Sequence, residues 1–183
     1  APCSSYVLEY LSRYFDITAL FYNPNISPKS EYDFRLAELK RFIAEHPKAT
    51  GIKMLEAPYN ESEFYAATKG MENLPEGGKR CKVCYELRLR KTAELAKTHS
   101  FDFFTTTLTI SPYKNAAWLN EIGKNLMKEF GTDYLFSDFK KKNGYKRSIE
   151  LSKEYNLYRQ DFCGCAYSKA EAELRRLEKN KDL

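Results

Sequence analysis

Short apolar runs alternate with helix-period segments along this chain, and that alternation limits the fold more than any other feature. The runs "ITALFY", "GIKMLEAPY", "FDFFTTTLTI" and "DYLFSDF" carry the β-branched and aromatic residues of strands. Between them stand segments with helical spacing. "SSYVLEYLSRYF" sets Val7, Leu8, Leu11 and Phe15 on one face, with Ser4 or Ser5 placed to cap it. "SEYDFRLAELKRFIAEH" repeats the period through Leu36, Leu39 and Ile43 until Pro47 stops it. "ESEFYAATKG" is a short helix closed by Gly70, and "CKVCYELRLRKTAELAK" is a longer one. "NAAWLNEIGKNLMKEFG" brings Leu119, Ile122, Leu126 and Phe130 together before Gly131, and "SIELSKEYNLY" is a last helix. The pattern predicts βαβ units, hence an α/β fold with a mainly parallel sheet and flanking helices.

Sheets of that kind hold ligands outside the carboxyl ends of their strands. The turns at those ends are "NPN" (23–25), "SPYKN" (111–115) and "DFKKKNGYKR" (138–147). The chain opens at Ala1 in what reads as a loop before a helix, so a first strand is expected upstream of it. No repeat, low-complexity stretch or linker divides residues 1–183, which are read as one α/β domain ending in a helical and CGC segment.

Composition removes some classes. With 43% hydrophobic residues, the chain has enough for a core and does not resemble a disordered segment. No window approaches the run of about 18 apolar residues that a membrane span requires, so no membrane partner and a cytoplasmic location are expected. Net charge is +5, and "KKKNGYKR" holds five of the cations in eight residues. That run is either a solvated loop or a contact with a phosphate backbone. Tyr145 inside it offers a ring for a base to stack on, which favours RNA.

Five cysteines sit in three places: Cys3, the "CKVC" of Cys81 and Cys84, and the "CGC" of Cys163 and Cys165. An odd count in a chain large enough to fold without staples makes disulfides a poorer reading than metal binding. "CKVC" alone is weak, since a redox pair, half a zinc site and plain structure all use it. Gly164 in "CGC" lets the backbone bend so that two thiolates face one centre or two neighbouring ones. Four thiolates suit zinc or an iron–sulfur cluster, and spacing does not choose between them. His46 and His99 each end a helix, where the helix dipole explains them better than a metal does.

The blocks "APCSSYVLEYL", "FYNPNISPKSEYDFR", "RCKVCYELRL", "FTTTLTISPYKN" and "DFKKKNGYKRSIELSKEYNLYRQDFCGCAYS" together resemble the QueH-type epoxyqueuosine reductases. They run through nearly the whole chain in the expected order. The resemblance implies an enzyme of tRNA modification that reduces the epoxide of epoxyqueuosine at the wobble position to give queuosine. It implies a Rossmann-like fold similar to the adenine nucleotide alpha hydrolases, a cobalamin-independent mechanism, a 4Fe–4S cluster and a mononuclear iron beside it. The family pattern has two adjacent cysteines just ahead of "APC", so further ligands are expected upstream of Ala1.

Deoxygenation of an epoxide needs two electrons, two protons and help for a poor leaving alkoxide, hence an external electron donor. Candidate ligands are Cys81, Cys84, Cys163 and Cys165, joined by Cys3. Asp138, at the carboxyl end of the last strand, is a candidate to complete a metal's coordination or relay a proton; a turn aspartate is the alternative. Tyr22, Asn23 and Asn25 are placed to hydrogen-bond the modified base, or else form a plain turn. Lys140, Lys141, Lys146, Arg147 and Arg159 are candidate phosphate contacts. Tyr145, Tyr158 and Tyr167 are placed to stack, donate protons or simply pack.

Three other functions fit part of this pattern. A tRNA thiolation enzyme would need ATP and a glycine–serine phosphate loop, which the sequence lacks. A zinc-stabilised RNA-binding module would do no chemistry. A dithiol oxidoreductase would need only one cysteine pair.

Overall fold

A computed structural model describes residues 2–181. Helix α1 (Pro2–Leu11) leads into β1 (Thr18–Phe21), α2 (Lys29–Glu45), β2 (Lys53–Glu56) and the short α3 (Glu61–Ala67). Then come α4 (Lys79–Thr98), β3 (Phe103–Phe104), a 3-10 turn (Thr107–Ile110), α5 (Ala116–Phe130) and β4 (Asp133–Tyr134). The chain closes with α6 (Gly144–Glu154) and α7 (Ala166–Lys181).

The strands pair in parallel, as the alternating pattern requires, but they are short and form two separate pairs. Thr18 to Phe21 register with Lys53 to Glu56, and Phe103 and Phe104 with Asp133 and Tyr134. One continuous sheet is not formed among the described residues. The expected first strand upstream of Ala1 lies outside them.

"FDFFTTTLTI", the sequence's best strand, yields only two paired residues, because its threonine hydroxyls find other partners. Thr105 donates to the Leu135 carbonyl at 2.9 Å, and Thr109 shares a 3.0 Å bond with Ser137. Thr106 accepts from the Leu108 amide and starts the 3-10 turn. Likewise α1 begins at Pro2, so Ser5 lies inside it and donates back to the Pro2 carbonyl rather than capping. Phe15 falls beyond that helix and is partly exposed. Helix α7 has no counterpart in the sequence reading, because Leu174 and Leu177 are exposed on it and give no inward stripe.

Two cores flank the middle of the molecule. Tyr85, Leu89, Phe104, Leu119, Leu126 and Tyr134 join α4 and α5 to the second strand pair. Leu8, Phe21, Leu39, Phe42, Ile43 and Leu157 join α1 and α2 to the first. Between them lies a cavity of about 1320 Å³, bounded by β1 and β3 and walled by α1 and α4. Its polar end, at the carboxyl ends of the strands, holds the candidate site.

Candidate metal centre

Gly78 precedes α4, and the helix's first two turns carry Cys81, Cys84 and, one turn on, Arg88. Spacings of three and four residues put all three on one helical face. The Gly77 amide donates to Cys81 Sγ at 3.2 Å. Opposite, Gly164 turns the chain at φ +123°, a conformation that favours glycine. A Cβ there would also press on Ile26 at 2.9 Å and on Arg35 at 3.1 Å. Arg35 donates to the Cys163 carbonyl at 2.9 Å, and the Ser27 amide to the Gly164 carbonyl at 3.0 Å. The CGC bend is thus fastened to α2 and to the turn after β1.

The two cysteine pairs meet. Cys81, Cys84, Cys163 and Cys165 line one small cavity of about 10 Å³ together with Asn25, Arg88 and Lys114. All five cysteines are free thiols. Cys163 also borders the large cavity, so the two cavities adjoin.

Charge within this group is uneven. Lys114, with 9% of its side chain exposed, places Nζ 3.2 Å from Cys163 Sγ and 3.5 Å from Glu76. A bond from the Cys165 thiol holds Cys163 well below the usual thiol range; this outweighs burial, and the Lys114 charge adds to it. The same bond, with burial, pushes Cys165 up. Burial pushes Cys84 up to about 12 and raises Cys81 as well. For Lys114 burial favours the neutral amine, but the Cys163 thiolate overcomes it and the ammonium persists. Cys163 is thus the thiol of the four that ionises most readily, with a buried cation against it.

The donor chemistry fits a thiophilic metal or an iron–sulfur group, with four sulfurs on one cavity and three cations, Arg80, Arg88 and Lys114, to offset thiolate charge. No three Cys, His, Asp or Glu residues among those described already stand in ligand geometry. The cavity itself is about the size that one water requires.

A family profile described as Epoxyqueuosine reductase QueH matches residues 1–171. The chain belongs to the QueH epoxyqueuosine reductase family. It is similar to the Epoxyqueuosine reductase QueH of Streptococcus pyogenes serotype M1, 48% identical over 170 residues, covering 92% of this chain and 67% of that protein. The protein of the same name from Staphylococcus epidermidis is 43% identical, covering 100% of this chain and 78% of the relative. That from Thermotoga maritima is 34% identical, covering 99% and 92%. The chain is therefore an oxidoreductase by family.

In this QueH-family chain the remaining candidates separate. Cys3 borders the large cavity and packs near Val7, Leu11 and Ile110, apart from the other four cysteines. Asp138 is also apart, its carboxylate held by Lys140 at 2.6 Å and Lys141 at 3.4 Å. Tyr22, Asn23 and Asn25 all border the large cavity. Tyr22 donates to Glu63, and burial together with that bond raises its hydroxyl pKa. Asn23 accepts from Arg88 at 2.6 Å, while the Asn25 side-chain oxygen is buried without a partner.

Among the basic residues, Lys146 and Arg159 are exposed, and Arg159 and Tyr145 border the large cavity. Arg147 instead grips buried Glu9. Tyr158 packs edge-on to Phe34, and Tyr167 lies under Arg80, so both are packing residues. His46 and His99 follow α2 and α4 at their carboxyl ends, but His46 is buried and its Nδ1 accepts from the Lys48 amide, so packing rather than the helix dipole accounts for it. Sequence reasoning missed Lys114, Arg88 and Glu76. "SPYKN" was recognisable as a ligand-binding turn, and the helical period from Cys84 pointed to Arg88.

Proposed function

We propose that this chain reduces the epoxide of epoxyqueuosine, at the wobble position of tRNA, to the alkene of queuosine. Two electrons and two protons are consumed and the oxygen leaves as water. The observation that carries this reading is the meeting of "CKVC" and "CGC" on one cavity that adjoins a much larger one. A Rossmann-like fold similar to the adenine nucleotide alpha hydrolases is part of the same proposal; the parallel pairing, and β1 and β3 bordering the same cavity, support it.

Cys81, Cys84, Cys163 and Cys165 are the residues that would hold an iron–sulfur group, with Cys3 at the rim of the large cavity as a further thiol. When bound, such a group passes electrons one at a time from an external donor, and an iron beside it would act as a Lewis acid. The protein's own part is chiefly electrostatic. Lys114 Nζ lies against the Cys163 sulfur and favours its ionised form, and Glu76 steadies Lys114. Tyr22, Asn23 and Asn25 border the large cavity and would hydrogen-bond the modified base there. Lys146, Arg159 and Tyr145 offer charge and a ring to the RNA, and Asp138 orders Lys140 and Lys141 beside them.

The test is iron and acid-labile sulfide content of anaerobically purified protein, a spin-resonance spectrum after dithionite, and turnover of tRNA bearing epoxyqueuosine. Iron in excess of sulfide, with a reduced-cluster signal and product formation, is expected. Zinc without sulfide and without turnover would overturn the reading and leave a zinc-stabilised RNA-binding module.

A further inference from the structure

Two buried polar atoms bordering the cysteine cavity have no partner. The Nε of Arg88 and the side-chain oxygen of Asn25 are both enclosed and unbonded, one a donor and the other an acceptor. Both residues line the small cavity and the large one, so they stand where the two cavities meet. Arg88 is not loose. Its Nη2 donates to Asn23 at 2.6 Å, and its position one turn past Cys84 fixes its stem on the face that carries the cysteines. Leaving a buried donor or acceptor unpaired is costly, so a fold rarely keeps such groups on one cavity without use.

We propose that Arg88 and Asn25 form an oxygen-binding subsite, in which Arg88 donates Nε–H to the epoxide oxygen and Asn25 accepts from a hydroxyl on the same small ring. The inference rests on the reductase reading above and names the residues that read the reacting oxygen. A guanidinium keeps its proton near neutral pH, so Arg88 stabilises negative charge on the oxygen as the C–O bonds break without becoming the acid. Both protons of the departing water come from solvent, and both electrons from the external donor. A product ring without that oxygen leaves Arg88 unpaired again, so the site discriminates against product and favours its release. Asn25 contacts a group that substrate and product share, so it adds affinity without discrimination.

The two residues therefore give different signatures in equilibrium binding of the full chain to tRNA bearing epoxyqueuosine and to the same tRNA bearing queuosine. The wild type binds the epoxide form tighter by about tenfold or more, the effect of one charged donor left unpaired. Arg88→Gln brings that ratio close to one and lowers kcat by about a hundredfold, with bound metal unchanged. Asn25→Ala weakens both tRNAs equally and leaves the ratio intact. Arg88→Lys, which keeps the charge but not the fixed Nε, replaces the Gln variant if that one does not fold, and it too lowers the ratio. An unchanged ratio in the Arg88 variant, or unchanged affinities in Asn25→Ala, overturns the subsite while the reductase reading stands. A wild-type chain that carries its metal but leaves the epoxide intact removes the reading and the subsite together.

Discussion

Arg147 grips Glu9 across 138 residues of chain, Nε to Oε2 and Nη2 to Oε1, each at 3.0 Å. The pair ties α6 to α1, and the carboxylate it serves is only 6% exposed. Arg147 is thus committed to the fold and is not a free phosphate contact. Arg147→Ala leaves a buried carboxylate with only His46 and Lys48 nearby, each at 3.9 Å. A loss of about 2 kcal/mol is expected, read as a lower urea midpoint with an unchanged slope. Arg147→Lys recovers part of it. Lys146→Ala, one residue away and exposed, leaves stability alone and lowers the salt dependence of tRNA binding.

The same corner makes stability depend on pH. The bond from Arg147 holds Glu9 below the usual carboxylate range despite its burial, and burial holds His46 below the usual imidazole range. Both groups bind protons less readily folded than unfolded, so stability rises with pH. The His46 contribution is complete above about pH 6.5 and is lost as pH falls through its lowered value. That of Glu9 is complete above about pH 4.3 and is lost below it. Melting temperature should therefore fall as pH drops from about 6.5 to about 3. His46→Gln should flatten the upper part of that fall and Glu9→Gln the lower. A melting temperature that stays level or rises on acidification contradicts this account.

Lys114 and Cys163 give a chemical prediction that needs no bound metal. In reduced, metal-free protein at pH 7, limiting iodoacetamide should label Cys163 before Cys81, Cys84 and Cys165, because only its thiol is held below the usual range. Lys114→Met should slow that labelling by about tenfold, equivalent to the ~1.4 kcal/mol of one weak charged hydrogen bond. Equal labelling of Cys163 in wild type and variant, followed by peptide mass analysis, would count against the pairing.

Gly144 allows α6 to start where it does. A Cβ there would overlap the Phe139 carbonyl oxygen, a backbone atom with no freedom to swing aside. Gly144→Ala is expected to cost about 2 kcal/mol and to shift the turn that carries Tyr145. Thermal unfolding reads the first effect, and tRNA affinity at low salt reads the second.

What the sequence could disclose followed its local periods. The stripe of Leu119, Ile122 and Leu126 is buried as its spacing requires, and Gly131 closes that helix in the left-handed conformation. The parallel pairing followed from alternation alone, and the convergence of "CKVC" with "CGC" from the preference of thiolates for shared centres. What stayed hidden depends on partners far along the chain. "KKKNGYKR" reads as uniformly basic, yet Arg147 turns inward to Glu9 while Lys146 faces solvent, and only the packing of α6 on α1 separates them. Lys114 gives no local sign that it lies against a thiol 49 residues away. Strand propensity misled at "FDFFTTTLTI", because hydroxyl bonds from Thr105 and Thr109 to neighbouring loops replaced ladder pairing.

Asp138 is where two roles separate by experiment. As a metal ligand or proton relay it would have to reach the cysteines, but its oxygens are engaged by Lys140 and Lys141, and it borders neither cavity. Asp138→Asn removes one negative charge from the basic loop and frees both ammonium groups. If Asp138 serves to order that loop, bound iron stays at the wild-type level, tRNA affinity at low salt rises a few-fold and the salt dependence steepens by about one charge. If instead it is a ligand, iron falls and tRNA affinity scarcely changes. The geometry favours the first outcome, since a carboxylate bonded to two ammonium groups must shed both before it can coordinate a metal.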